Sequence, residues 1–150
     1  MDTLLLTTEE SDIQKAADML RAGGLVAFPT ETVYGLGADA FDPDAAKKAY
    51  AAKGRPSDNP LIVHIAKTED LYRVASEVPE QAVKLAKAFW PGPLTMVLPK
   101  RPEIPKETTG GLDTVAVRMP DSAETLRFIE LSGTAVSGPS ANISGRPSPT

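Results

Sequence analysis

Cysteine is absent from the chain, and histidine and tryptophan each occur once in 150 residues. Disulfides, thiolate catalysis and cysteine-ligated zinc are therefore excluded. A single histidine also rules out a histidine-rich metal centre, and no protein-held metal is expected. An excess of positive charge is lacking too: 16 Lys and Arg face 20 Asp and Glu, for a net charge of −4 and a pI near 5.0. Domains whose main partner is nucleic acid are usually basic, so any RNA contact would be weak and confined to a local patch. No apolar run approaches the ~20 residues that a membrane helix requires. The N-terminus shows no basic segment followed by an apolar core. These features lead us to expect a cytoplasmic, soluble chain with no membrane partner. Neither a Walker A loop nor a Gly-x-Ser-x-Gly elbow occurs.

What remains is an ordinary globular composition, 41% hydrophobic and 24% charged, in one domain over residues 1–150. Ser11-Asp-Ile-Gln14 reads as a capping box, and Ile13, Ala16, Ala17 and Leu20 follow at helical spacing up to Gly23-Gly24. Residues 25–28 form a strand. Asp42-Pro43 opens a second helix that ends near Lys53-Gly54. Residues 61–65 form a strand, and 68–76 a short helix capped by Thr68. In the helix from Pro79 to Trp90, Ala82, Leu85, Ala86 and Phe89 share a face. Residues 94–98 and 114–119 are strands separated by a loop, and so an antiparallel pair. A helix over 121–132 stops at Gly133, and a strand over 134–137 follows. Strands alternating with helices give an α/β class with a mixed sheet.

Three polar clusters follow predicted elements. After the first strand, Thr30, Thr32 and Tyr34 offer hydroxyls and Glu31 a carboxylate, while Gly35 and Gly37 let the chain turn. Such strand ends are where open α/β sheets hold ligands. Lys53-Gly-Arg55, with Asn59, sets two cations around a glycine, as phosphate binding would need. On spacing alone a solvated helix C-terminus, where cations are favoured anyway, is the better reading. Ser137 to Gly145 supplies hydroxyls, an amide and backbone donors able to bind anions, though alone it reads as an ordinary turn.

Two strand residues add to these clusters. His64 points away from Leu61, Val63 and Ile65; it could bond a substrate, but a satisfied core histidine is the commoner outcome. Thr114 and Arg118 share a strand face about 13 Å apart, at ~3.3 Å per residue. Arg118 requires an anion, because an unpaired buried charge is costly. A substrate carboxylate and a structural Asp or Glu are equally suitable.

The order Pro29-Thr-Glu-Thr-Val-Tyr-Gly-Leu-Gly37, Lys53-x-Arg55, Asn59-Pro-Leu-Ile-Val-His64, Trp90-Pro-Gly-Pro-Leu-Thr95, Thr114-Val-Ala-Val-Arg118-Met-Pro120 and Pro139-Ser-Ala-Asn142 resembles the YrdC/Sua5 family of threonylcarbamoyl-AMP synthases. The resemblance implies a twisted open mixed sheet flanked by helices. It implies a nucleotidyltransferase that converts L-threonine, bicarbonate and ATP to threonylcarbamoyl-AMP and pyrophosphate. A downstream tRNA threonylcarbamoyl transferase complex would then modify adenosine 37 of tRNA. By the same resemblance Lys53 and Arg55 are catalytic. ATP contacts fall to Lys53, Arg55, Asn59, Thr114, Ser140, Asn142 and Arg146, and threonine contacts to Thr30, Tyr34, His64, Arg118 and Ser137. Arg118 would pair with the threonine carboxylate, and Mg²⁺ would enter on the ATP phosphates. Family members continue past Thr150, so the domain is expected to be C-terminally incomplete. Three alternatives stand beside the enzyme: a double-stranded RNA or tRNA-binding module, the carbamoyl-transferring domain of a hydrogenase-maturation protein, and an inactive truncation.

Overall fold

A computed structural model describes residues 3–54 and 60–139 of the 150. The second helix shows how local chemistry sets its elements. In α2 (Pro43–Lys53), the Asp42 carboxylate accepts from the amides of Asp44 and Ala45, Pro43 fills the first turn, and Gly54 takes a left-handed φ of 65°. Donors left unpaired at the start and a backbone turn at the end are thus met by the residue types the sequence offers.

The other elements in chain order are α1 (Glu10–Arg21), β1 (Val26–Phe28), β2 (Gly35–Asp39), β3 (Ile62–His64), α3 (Leu71–Val74), α4 (Glu80–Phe89), β4 (Met96–Pro99), α5 (Lys106–Thr109), β5 (Thr114–Arg118), α6 (Ala123–Ser132) and β6 (Val136–Ser137). The strands form one sheet ordered β1-β2-β6-β3-β5-β4. Among the described residues only β3 and β5 run parallel; the other neighbours are antiparallel, including β4 with β5. The sheet is therefore mixed, as expected. On one face Val63, Val115, Val117, Met96 and Leu98 pack with residues of α3 and α4. On the other, Phe28 and Val136 meet α1 and α6 through Ile13, Leu20, Phe128 and Ile129. The pocket lies on this second face.

Several expectations are corrected. Ser11 does not cap α1: the cap falls two residues earlier, at Glu9, which makes no side-chain cap bond. Asp12 instead reaches back to the Thr7 amide and hydroxyl, both at 2.8 Å, and Gln14 bonds Asp18. Thr68 is no cap either. It opens a 3₁₀ turn over Thr68–Asp70 that runs into α3, and α3 stops at Val74 because Ala75 bridges Lys100. Along α4 the buried edge is Ala82 and Ala86; Leu85 and Phe89 are 42% and 58% exposed. The loop over 99–113 contains α5, whose buried Thr108 donates to the Ala40 carbonyl at 2.8 Å.

The largest correction is β2, because Gly35 and Gly37 lie in a strand and not in a turn. A Cβ on Gly35 would stand 2.6 Å from Phe28 Cζ, and one on Gly37 3.0 Å from Phe28 Cδ1. These glycines are needed for close approach of the Phe28 ring.

Candidate ligand-binding site

A cavity of about 260 Å³ opens beside β3. Its floor comes from Ile62 and His64 and from Gly138 and Pro139 after β6. The chain linking β1 to β2 walls it with Thr30, Thr32 and Tyr34, and Arg118 closes it from the end of β5. Strand register explains the meeting of residues distant in sequence. His64 pairs with Arg118 across the parallel β3–β5 ladder and with Val136 across the antiparallel β3–β6 ladder.

His64 is 2% exposed. Its Nδ1 lies 3.3 Å from the Val136 carbonyl oxygen. A carbonyl only accepts, so Nδ1 carries the proton and Nε2 of the neutral ring is an acceptor. The Phe28 ring meets His64 edge-on, with centroids 5.1 Å apart at 75°. Burial lowers its pKa to about 4, although the Val136 and Ile62 carbonyls oppose the shift. At neutral pH the pocket therefore holds an uncharged imidazole.

Arg118 is also buried. Burial lowers its pKa too, yet a guanidinium starts so high that it keeps its charge. Its Nε donates to the Gly92 carbonyl at 3.2 Å, and Nη2 pairs with Glu31. The second Glu31 oxygen accepts the Asp121 amide at 2.7 Å. Of the two anions that suited Arg118, the structure supplies a side-chain carboxylate. Glu31 was not among the candidate site residues. The available signal was a lone acid among the pocket hydroxyls and an arginine in need of an anion. Loop chemistry steadies this wall: Thr30 Oγ1 donates to the Val33 carbonyl, and Thr125 Oγ1 to that of Pro29.

Thr30, Tyr34, His64 and Arg118 are thus brought together. Ser137 is not: it pairs with Val63 and Ala38, on the face opposite His64, and its hydroxyl donates to the Ala38 carbonyl at 3.2 Å. Thr114 sits half-buried at the far end of β5, beside Pro99, and does not line the pocket. Lys53 corrects the reading of a solvated helix end, being only 3% exposed. Arg55, Asn59, Ser140, Asn142 and Arg146 lie outside the described residues. No group of three or more His, Cys, Asp or Glu among the described residues could hold a metal ion. No helix among them is long and apolar enough to cross a membrane.

A mixed sheet flanked by helices, with a small pocket lined by hydroxyls, a neutral imidazole and a guanidinium paired to a carboxylate, defines an α/β domain with one small polar pocket among the described residues. Comparison with known proteins narrows this class. The family model for Sua5/YciO/YrdC, described as telomere recombination, matches residues 18–150, and the chain belongs to that family. It is 62% identical over 142 residues to the threonylcarbamoyl-AMP synthase of Pyrococcus abyssi, and 55% identical over 146 residues to that of Bacillus subtilis. These matches take in 95% and 97% of the chain but 42% of each relative's length. The crystal structure of P. abyssi Sua5 complexed with L-threonine superimposes with a TM-score of 0.93, over 95% of this chain and 42% of that one.

Proposed function

We propose that the chain carries the substrate-binding and adenylating part of an L-threonylcarbamoyladenylate synthase. The observation that carries the reading is the pocket, in a chain 62% identical to a Sua5 protein that binds L-threonine. Its volume of about 260 Å³ suits an amino acid and is small beside ordinary ligand pockets. Arg118 would take the threonine carboxylate through Nη1, and the hydroxyls of Thr30 and Tyr34 with neutral His64 would surround the rest. Ser137 would act through its bond to the sheet and not through the ligand.

The chemistry requires no covalent nucleophile from the protein. Threonine's amine condenses with bicarbonate to a carbamate, releasing water. A carbamate oxygen then attacks the α-phosphorus of ATP, and the Pα–O bond to pyrophosphate breaks. The protein must hold two mutually repelling anions in line and neutralise charge growing on the phosphate oxygens. Lys53 and Arg55 are the groups for that task. Asn59, Thr114, Ser140, Asn142 and Arg146 would hold the nucleotide. Mg²⁺ would be held by the phosphates, with no carboxylate cluster of the described residues involved, and would supply further neutralisation. The product would pass to a tRNA threonylcarbamoyl transferase. An RNA-binding role draws no support from a net charge of −4.

Calorimetric titration with L-threonine and D-threonine, each with and without ATP and Mg²⁺, tests the reading. Stereospecific binding that tightens with nucleotide is expected, followed by pyrophosphate release once bicarbonate is added. A folded chain that binds neither ligand would refute it.

A further inference from the structure

We propose that Glu31 is the positioning residue for Arg118: seated on the Asp121 amide, its carboxylate fixes the guanidinium so that Nη1 faces the substrate carboxylate. This inference rests on the threonine-binding reading above. A guanidinium is a planar fork of five donors on a long flexible stem, so a precise carboxylate contact requires the plane to be held. Two of its three nitrogens are tied to protein: Nε to the Gly92 carbonyl and Nη2 to Glu31. Nη1 has no hydrogen-bond partner among the described residues. Glu31 uses both its oxygens, one on Arg118 and one on the Asp121 amide. It therefore joins the pocket wall, the end of β5 and the approach to α6. The Arg118 and Glu31 side chains are 11% and 22% exposed, which leaves little water to compete for the pair. Thr30 and Thr32, which line the pocket, flank Glu31 in sequence, but contacts other than Glu31's tie their wall: Thr30 Oγ1 donates to the Val33 carbonyl and Thr125 Oγ1 to that of Pro29.

The test is calorimetric titration of the unaltered chain, Glu31→Gln and Glu31→Asp with L-threonine and with L-threoninol, which has an alcohol in place of the carboxylate. A charge-assisted bond contributes about 1.5 kcal/mol, so Glu31→Gln is expected to weaken L-threonine about tenfold. L-threoninol affinity should stay within about twofold, because the effect passes through Arg118 and a carboxylate. Glu31→Asp keeps the charge and should recover part of the loss. If circular dichroism shows Glu31→Gln unfolded, Glu31→Asp carries the test, with a smaller loss again confined to L-threonine. Equal or tighter L-threonine binding by Glu31→Gln would overturn the proposal by making Glu31 a competitor. Equal losses for both ligands would also overturn it, leaving structural support alone. An unaltered chain with no affinity for L-threonine would refute the proposed function itself; binding there with no change in Glu31→Gln would refute only the positioning role.

Discussion

Acid should loosen this fold through one residue, and the size of the effect follows from burial. His64 has a pKa of about 4 in the folded chain, against 6.5 when unperturbed. The folded value is the lower, so between these pH values the unfolded chain binds the extra proton. Stability is then complete above pH 6.5, falls as pH drops through 6.5 toward 4, and loses nothing more to this group below about 4. A difference of about 2.5 pH units corresponds to roughly 3 kcal/mol, a substantial part of the 5–15 kcal/mol typical of native proteins. Asp12, a shifted acid among the described residues, lies outside this window: its pKa is lowered below 3.8 by the Thr7 bonds, so its contribution is lost only in stronger acid. Urea unfolding followed by the fluorescence of Trp90 should give a midpoint that falls steadily from pH 7 to 4.5. In His64→Gln, whose amide can still donate to the Val136 carbonyl, the midpoint should fall less steeply. Because His64 is the only histidine, its Cε1 proton gives a single NMR resonance and reports the folded pKa directly. Parallel pH profiles for the two proteins, or an NMR midpoint above 6, would refute the reasoning.

Gly138→Ala would place a Cβ 2.5 Å from Phe28 Cζ and 3.1 Å from His64 Cε1; a loss of about 1–3 kcal/mol is expected, seen as a fall in melting temperature, and Phe28→Leu in the same chain should shrink that penalty. Strict additivity of the two changes would remove Phe28 as the cause. Asp42→Ala deletes the two-amide cap of α2 and should cost about 1 kcal/mol, with Asp42→Asn nearly neutral; urea midpoints at constant slope measure both. Lys53→Ala should lower the rate of pyrophosphate release far more than it weakens threonine binding, and equal losses in the two assays would argue against its role at the phosphates.

Local chemistry was legible wherever the residue and its partner are neighbours. Asp42, Pro43 and Gly54 bracket α2 because all three act within one turn. Gly133 ends α6 for the same reason. Gly35 and Gly37 misled because glycine signals turns in sequence, whereas here it admits a ring from the adjoining strand. Leu85 and Phe89 followed the helical period, but burial along α4 is decided by what the sheet offers, and only the alanine edge meets it. Within the site, His64 and Arg118 could be singled out as polar residues in apolar strands. Their shared wall could not, since Glu31 reaches Arg118 across 87 positions of chain. Ser137 was misplaced by a matter of register: period two puts it on the face of Val63, one residue out of step with the pocket.

Two basic side chains paired across adjacent strands should not both be charged in a buried site, and their intrinsic basicities decide which yields. The imidazole starts near 6.5 and releases its proton, whereas the guanidinium starts far above neutrality and, although burial lowers it, keeps its own. With Glu31 ionised against Arg118, the three groups sum to zero charge. Such a pocket accepts a zwitterion at little electrostatic cost, because the ligand brings its own cation beside its own anion. On the proposed reading that describes threonine as it arrives. Conversion of its ammonium to a carbamate replaces the positive group by a negative one, and the pocket then holds two uncompensated anionic charges. The neutral imidazole cannot offset them, and the Arg118 charge is already shared with Glu31. On that reading the carbamate end would be drawn away from this neutral wall, toward the cations proposed to bind the phosphates. If the proposed function holds, charge balance would favour the amino acid inside this neutral site and the carbamate anion outside it.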